Sequence, residues 1–203
     1  SLSPADVFIT VDAGRLQRAK QAGVLQTIDN PILKQRIPAS LRDRENYWFG
    51  LSQRARTIIY NKEAVDEANL STYEELASPS WKGKLCIRSS DSVYNQSLVA
   101  SMIEVNGIEK TESWARGLVR NFARPPTGGD TDLLKATAAG QCSIALANTY
   151  YLGRLINSKI SSERKAAQNL AVFWPNQGEG DRGVHVNVSG AGVTKHSQNI
   201  NEA

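Results

Sequence analysis

The sequence predicts an α/β fold made of two lobes. Strand-like runs alternate with amphipathic helical patterns, which is typical of a sheet with crossover helices. Two extended stretches, at residues 51–61 and 170–193, bracket a compact α/β block and indicate that the chain crosses between lobes more than once. We therefore expect lobe one at residues 1–56, lobe two at residues 57–174, and a return to lobe one at residues 175–203.

The first elements are predicted from local signals near the N-terminus. Ala5–Val11 has the composition of a buried strand. Asp12 is a suitable cap for a helix that ends at Gly23, because Gly readily adopts the conformation that follows a helix. A loop with two prolines and then a long β-rich stretch follow, at Pro31, Pro38 and Tyr47–Asn61.

The middle of the chain predicts a compact run of helices and strands. Ser71 with Glu74 and Thr72 with Glu75 form overlapping capping boxes for a short helix, which Pro79 ends. Three further helices have apolar residues at helical spacing, within Leu98–Gly107, Trp114–Phe122 and Leu133–Gly140. The later strands are predicted at Leu85–Arg88, Ser143–Leu146, Leu170–Trp174 and Gly183–Val193.

Composition and motifs argue against several classes of function. The net charge is +4, but the 24 basic residues are dispersed, so no nucleic-acid-binding surface is predicted. No apolar stretch reaches the ~18 residues that cross a bilayer. Gly178, Gly180 and Gly183 match a dinucleotide-binding string, yet they open a strand-like run instead of a helix, and we interpret them as part of a loop.

The histidines and cysteines do not indicate a zinc site. His185 and His196 are not at ligand spacing, and Cys86 and Cys142 match no zinc pattern. Both cysteines lie in strand-like segments. A disulfide between neighbouring strands and two buried free thiols remain alternative interpretations.

Tyrosines at helix starts are the strongest signal for a binding site. Tyr150 and Tyr151 follow Asn148 and Thr149, which are helix-capping residue types, and Tyr94 also opens a helical pattern. Core packing is the usual role of a tyrosine. Helix N-termini favour oxyanions, however, and a trivalent cation would deprotonate a phenol, whose ordinary pKa is about 10. Because phenolate is a hard oxygen donor, the competing hypothesis is a site for ferric iron.

Several segments along the chain together match the pattern of one protein family. They are Ala5–Leu16, Arg54–Asn61, Thr72–Lys84, Tyr94–Gln96, Gly128–Asp130 and Ala147–Arg154. In this order they resemble the periplasmic ferric-iron-binding proteins of ABC importers, most of all the cyanobacterial Fut type. The resemblance implies a type II periplasmic-binding-protein fold, with iron held in the cleft between two α/β lobes and no enzymatic activity.

The resemblance also implies roles for individual residues. Tyr94, Tyr150 and Tyr151 fall where the family has phenolate ligands of the metal. Arg54 falls where the family has an arginine that lines the cleft and would offset phenolate charge or hold an anion, and Arg154 is a weaker candidate for that role. The implied ligand is Fe(III), with or without a synergistic anion. The implied partner is an inner-membrane ABC permease, and the implied location is the periplasm.

The family pattern extends beyond this chain at both ends. The preceding part would supply the first strand and helix of lobe one and a further ligand, so we expect an incomplete first lobe in a truncated chain. Asn199–Ala203, which resembles the start of an unfinished helix, agrees with this expectation. An incomplete lobe exposes sheet edges, which favours pairing with a second copy as a homodimer. Cys86 and Cys142 would both lie in lobe two, where a disulfide suits a periplasmic protein.

Two other functions remain open from the sequence. On the same fold, Arg54 and the helix N-termini would suit an inorganic or small organic anion. An α/β hydrolase or transferase would need an activated nucleophile with a paired base, and no motif in the sequence indicates one.

Overall fold

The computed structural model describes residues 4–200 and Glu202, and it has the predicted α/β class. The described residues form two compact units. The first unit runs up to Arg54 and resumes at Val186, and the second comprises Ala55–His185. No helix within residues 4–200 is long and apolar enough to cross a membrane.

The helices and strands largely follow the predicted order, with shifted boundaries. The strands in the described part of the chain are β1 (Val7–Val11), β2 (Phe49–Asn61), β3 (Leu85–Cys86), β4 (Ile144–Asn148), β5 (Leu170–Phe173) and β6 (His185–Val193). The helices are α1 (Ala13–Gln21), α2 (Pro31–Arg36), α3 (Val93–Asn106), α4 (Ile108–Arg120), α5 (Asp130–Ala138), α6 (Thr149–Ile156) and α7 (Ser161–Gln168). Short 3-10 turns occur at Ala39–Leu41, Glu67–Asn69, Glu74–Ala77 and Pro79–Trp81.

In the first unit, β6 lies between β1 and β2 in strand order and pairs with β1 in antiparallel register. Helix α1 begins where predicted, since the Asp12 carboxylate accepts a hydrogen bond from Gly14 N over 2.9 Å. Leu16 of α1 is fully buried against the sheet. A Cβ at Gly190 would lie 2.5 Å from the Phe49 carbonyl oxygen and 2.8 Å from the Leu16 side chain, so β6 needs glycine here for the close packing of α1.

The prediction that β1 is buried is wrong. Val7 and Ile9 are 37% and 68% exposed, whereas Phe8 packs against the core of the first unit. Alternate residues of a strand point to opposite faces. One face of β1 therefore contacts the α1 side, while the other is uncovered within the described residues.

Two helices were not predicted because they lack a clear apolar stripe. The segment around Pro31 was expected to be a loop, but Asn30 caps α2 and Pro31 occupies its first turn, where the missing N–H costs nothing. Helix α7 is mostly polar. The helix predicted after Thr72 is a 3-10 turn, although Thr72 Oγ1 does accept a hydrogen bond from Glu75 N over 3.1 Å. The helix start predicted at Asn199–Ala203 lies partly outside the described residues.

The second unit is a sheet covered by helices on both faces. Strand β2 pairs antiparallel with β4 and β5, and β3 pairs parallel with β4. The neighbouring residues Ile58 and Ile59 of β2 are both fully buried, in separate apolar clusters. The first cluster includes residues of α3 and α4, and the second includes residues of α5, α6 and α7. Residues 55–61 of β2 are all buried, as expected for a strand with packed layers on both faces.

Cys86 and Cys142 form a disulfide, which decides between the two interpretations of these residues. Their Cα atoms are 5.8 Å apart, and the bond joins β3 to the turn that precedes β4. Both cysteines are buried within the second unit.

The boundary of the second unit differs from the one predicted for lobe two. Residues 175–185 belong to the second unit, because Asn176 accepts a hydrogen bond from Tyr73 N over 3.1 Å and donates one to Glu74 over 2.9 Å. The Arg182 guanidinium also lies 5.2 Å from the centre of the Tyr73 ring. As predicted, Gly178, Gly180 and Gly183 lie in an irregular segment between β5 and β6. The assignment of the two units to the two lobes stays a prediction.

We expect Tyr73→Phe to lower the free energy of unfolding by about 1–3 kcal/mol, because the buried Tyr73 hydroxyl forms hydrogen bonds with two backbone groups. The hydroxyl donates to the Arg56 carbonyl oxygen and accepts from His185 N, and burial raises the pKa of Tyr73 to about 12. Urea unfolding measures the change. Tyr47→Phe is the matched control, since Tyr47 is half-buried and its ring instead lies 5.0 Å from the Lys20 ammonium. Equal stability of the two variants would contradict this prediction.

Candidate metal site

The three tyrosines singled out by the sequence lie at the starts of two helices in the second unit. Strand β4 ends at Asn148, whose extended backbone (φ −75°, ψ 140°) turns the chain into α6. Tyr150 and Tyr151 are therefore in the first turn of α6, as predicted. Tyr94 is in the first turn of α3, after Ser92. Both helices thus present their positive N-terminal ends to the tyrosines.

The structure brings these three side chains together. The Tyr150 hydroxyl donates a hydrogen bond to the Tyr94 hydroxyl over 3.2 Å, although the residues are 56 positions apart. The rings of Tyr150 and Tyr151 lie 4.3 Å apart between centroids, with 31° between their planes. Tyr150 is 37% exposed, and Tyr94 and Tyr151 are half-buried. The phenols therefore form a cluster that solvent and ions can reach.

Two phenols of the tyrosine cluster hold their protons more tightly than a free phenol does. Burial raises the pKa of both Tyr150 and Tyr151 above the ordinary value of a phenol. A cation that binds the oxygens must therefore displace protons. Highly charged, hard cations have this effect on their ligands, whereas alkali ions do not.

A buried charged network lies directly beside the tyrosine cluster. The Arg56 side chain is 1% exposed, and its Nη1 lies 3.2 Å from Oδ2 of Asp130, which is fully buried. The same carboxylate oxygen accepts a hydrogen bond from the backbone N of Asn148 over 2.9 Å. Arg88, with its side chain 28% exposed, places Nη1 3.7 Å from the other oxygen of Asp130. Two guanidiniums and one carboxylate leave this network with an excess positive charge.

The guanidiniums also face the aromatic rings. Those of Arg56 and Arg88 lie 5.9 Å and 5.5 Å from the centre of the Tyr94 ring. The guanidinium of Arg154, a predicted site residue, lies 5.8 Å from the centre of the Tyr151 ring. These distances are within the range of cation–π attraction. The positive charge would favour the phenolate form of the tyrosines once a metal is bound.

Arg54, the other predicted arginine, belongs to the first unit. There its Nη1 donates a hydrogen bond to Ser189 Oγ over 3.0 Å, and the residue is 9% exposed. Its role at a metal site stays a prediction.

Sequence reasoning missed the roles of Arg56, Arg88 and Asp130. One signal was available for Arg56, because a charged residue inside an apolar strand needs a buried partner. Asp130 ends the Gly128–Asp130 segment that resembles the family, but an acidic residue is common at a helix start, and its role was therefore not recognised. The partners are 74 positions apart, so the pair itself was not recognisable.

The described residues contain no competing metal site of the usual kind. No group of three His, Cys, Asp or Glu side chains within them is placed to hold a metal ion. The tyrosine cluster is the candidate site that the geometry supports for a cation, because phenol oxygens of Tyr94 and Tyr150 meet there. Its donors are all oxygen atoms, which suits a hard metal.

Comparison with known proteins gives consistent similarities. Residues 3–180 match the family model described as bacterial extracellular solute-binding protein. The chain is 52% identical to iron uptake protein A1 of Synechocystis sp. over 197 residues, which cover 97% of this chain and 54% of that protein. Iron uptake protein A2 of the same organism is 48% identical over 99% of this chain and 58% of its own length. The chain thus spans a little over half of these relatives.

Solved structures show the same similarity in three dimensions. A Trichodesmium FutA structure, in complex with iron and citrate ligands, matches with a TM-score of 0.94 and 55% identity. That match covers 98% of this chain and 62% of the other. Apo FutA2 from Synechocystis matches with a TM-score of 0.95 and 47% identity, over 99% of this chain and 64% of the other. The expected type II periplasmic-binding-protein fold is confirmed, and this chain spans less than two thirds of either solved structure.

Proposed function

We propose that this chain, which belongs to the family of bacterial extracellular solute-binding proteins, is the ferric-iron-binding component of an importer. Tyr94, Tyr150 and Tyr151 are the proposed metal ligands. The observation that carries the proposal is the convergence of these phenols, with 3.2 Å between the hydroxyl oxygens of Tyr94 and Tyr150. The names of the similar proteins, which refer to iron uptake and to bound iron, support the same ligand.

The chemistry of the tyrosine cluster favours Fe(III) over softer or less charged metals. Three phenolates would balance the charge of a trivalent cation, and each is a hard oxygen donor. Binding releases the phenol protons, which burial holds on Tyr150 and Tyr151 in the metal-free protein. The excess positive charge of Arg56, Arg88 and Asp130 would offset the accumulation of phenolate charge.

Three phenolates do not complete the usual coordination of ferric iron. We propose that a synergistic anion and groups from the remainder of a longer protein fill the other positions. A carboxylate-bearing anion is reasonable, since the similar Trichodesmium structure contains citrate with its iron. Arg154 and Arg54 are the proposed partners of such an anion or of the phenolates, because a guanidinium pairs well with carboxylates.

We propose that the protein works in the periplasm and delivers iron to an inner-membrane ABC permease. The family is described as solute-binding, and we assign no reaction to the chain. Closure of two lobes around the ion is the motion expected for periplasmic binding proteins.

Adding Fe(III) to the purified protein tests the proposal. Ferric tyrosinate has a visible charge-transfer band, so both this chain and the complete gene product should become coloured as iron is added. Zn(II) is the matched control, because it gives no such band with phenolate. A complete gene product that stays colourless with excess Fe(III) would overturn the proposal.

The second candidate function, binding of an inorganic or small organic anion, is favoured by Arg88, which is partly exposed, and by Arg154, which is exposed; both lie beside the tyrosines. It predicts a protein that phosphate, sulfate or citrate stabilises against heat without iron and that remains colourless. Thermal unfolding with each anion, in the presence and absence of Fe(III), separates the two functions.

A further inference from the structure

We infer that Arg56 is a positioning residue that holds the helix carrying Tyr94 against the helix carrying Tyr150 and Tyr151. The inference rests on the proposed function, and it concerns how the metal-free protein keeps the phenol oxygens together. Arg56 is on β2 and is not itself a proposed ligand. It acts through the residues that flank the tyrosines in the chain.

The contacts of the Arg56 guanidinium reach every element that carries or orients a tyrosine. Nη2 donates to the side chain of Asn95, the neighbour of Tyr94, over 2.7 Å. Nη1 donates to the side chain of Asn148, which precedes α6, over 3.3 Å. Nη2 also donates to the Leu146 carbonyl oxygen of β4 over 2.9 Å. A single planar group thus joins the start of α3 to the end of β4 and the start of α6.

Asp130 fixes the guanidinium in this position. Its carboxylate pairs with Arg56 Nη1 over 3.2 Å and accepts from Asn148 N over 2.9 Å, so it is bonded both to the arginine and to the helix start that the arginine contacts. A rigid, forked donor is needed for this set of contacts. Lysine would keep the charge at this position but lose the fork.

A purely structural role does not account for the choice of a charged pair. Burial lowers the pKa of Arg56 and Asp130 opposes the shift, which shows that the pair works against a desolvation cost. Apolar residues of similar size commonly stabilise a core as well as a buried ion pair does. They could not, however, hydrogen-bond the Asn95 and Asn148 side chains. The distinctive contribution of Arg56 is therefore the geometry of the tyrosine cluster.

The test compares four variants of the complete gene product with the wild type. Arg56→Gln removes the charge and the fork, and Arg56→Lys keeps only the charge. Asn148→Ala removes one link between the guanidinium and α6 without removing a charge. It replaces Arg56→Gln in the test if Arg56→Gln does not fold. Arg116→Gln is the matched control, because the Arg116 side chain is 70% exposed on α4 and pairs with Glu112 of the same helix.

Iron affinity is measured by competition with a chelator, together with the wavelength of the charge-transfer band. Loss of a group that orients metal ligands typically weakens metal binding about 10–100-fold. We expect a loss of this size and a shifted band for Arg56→Gln, a smaller loss for Arg56→Lys and Asn148→Ala, and no change for Arg116→Gln. Wild-type affinity and an unshifted band in both Arg56→Gln and Asn148→Ala would overturn the inference.

A measurement without iron keeps this inference separate from the proposed function. Crystal structures of the metal-free variants give the separation of the Tyr94 and Tyr150 hydroxyl oxygens, which is 3.2 Å in the native sequence. We expect the separation to increase beyond hydrogen-bonding distance in Arg56→Gln and in Asn148→Ala. If the wild type binds no iron, the proposed function fails, and the hydroxyl separation alone decides the inference about Arg56. A separation that is unchanged in the variants overturns that inference.

Discussion

Replacing both Tyr150 and Tyr151 by Phe is expected to remove most of the intensity of the visible ferric band, leaving at most the contribution of Tyr94, and to weaken Fe(III) binding by more than about 100-fold. Loss of a group that only supports a metal ligand already costs about 10–100-fold, so loss of two direct donors must cost more. The substitution removes the two hydroxyls and leaves both rings, which stack 4.3 Å apart. Chelator competition and the visible spectrum of the complete gene product measure the effect.

Folding should be little affected by the same change. Tyr150 is 37% exposed and Tyr151 is half-buried, and substitutions at such positions usually alter stability by roughly 0.5 kcal/mol or less. Tyr60→Phe is the matched control, because the Tyr60 hydroxyl bonds to Glu67 Oε2 over 2.8 Å, outside the tyrosine cluster. A double variant that keeps the colour and affinity of the Tyr60→Phe protein would show that the ligands are assigned incorrectly.

Removing the disulfide is expected to have the largest effect on stability. Cys86 and Cys142 are 56 positions apart, and a closed loop of that length stabilises a fold by about 4 kcal/mol in the chain-entropy account. For a chain of this size, such a loss corresponds to a fall in Tm of about 8–16 °C. We expect this result for the double variant Cys86→Ala, Cys142→Ala.

Reductant provides the internal control for this prediction. Dithiothreitol should lower the Tm of the wild type toward that of the double variant and should leave the variant unchanged. Calorimetry with and without reductant makes the comparison. A wild type that is insensitive to full reduction, confirmed by thiol counting, would contradict the expected role of the bond.

The prediction of the fold succeeded where local signals agree with the tertiary environment. The starts of α1 and α6 lie at Asp12 and Asn148 as the local sequence predicted, although only the Asp12 side chain makes a capping hydrogen bond. The β-rich composition of Tyr47–Asn61 correctly indicated an extended stretch, which is β2. The burial of β1 was predicted wrongly, because an apolar sequence does not reveal whether a second layer covers the strand.

The sequence by itself determined the order of the strands and of most helices, the resemblance to the family, and the placement of three tyrosines at helix starts. Each depends on residues that are near one another in the chain. Only the tertiary structure decided that the Tyr94 and Tyr150 hydroxyls lie 3.2 Å apart, that Cys86 and Cys142 are bonded, and that Arg56 pairs with Asp130. These contacts join segments far apart in sequence. A long-range pair of this kind depends on how β2, α3, α5 and α6 pack, and no local pattern encodes that packing.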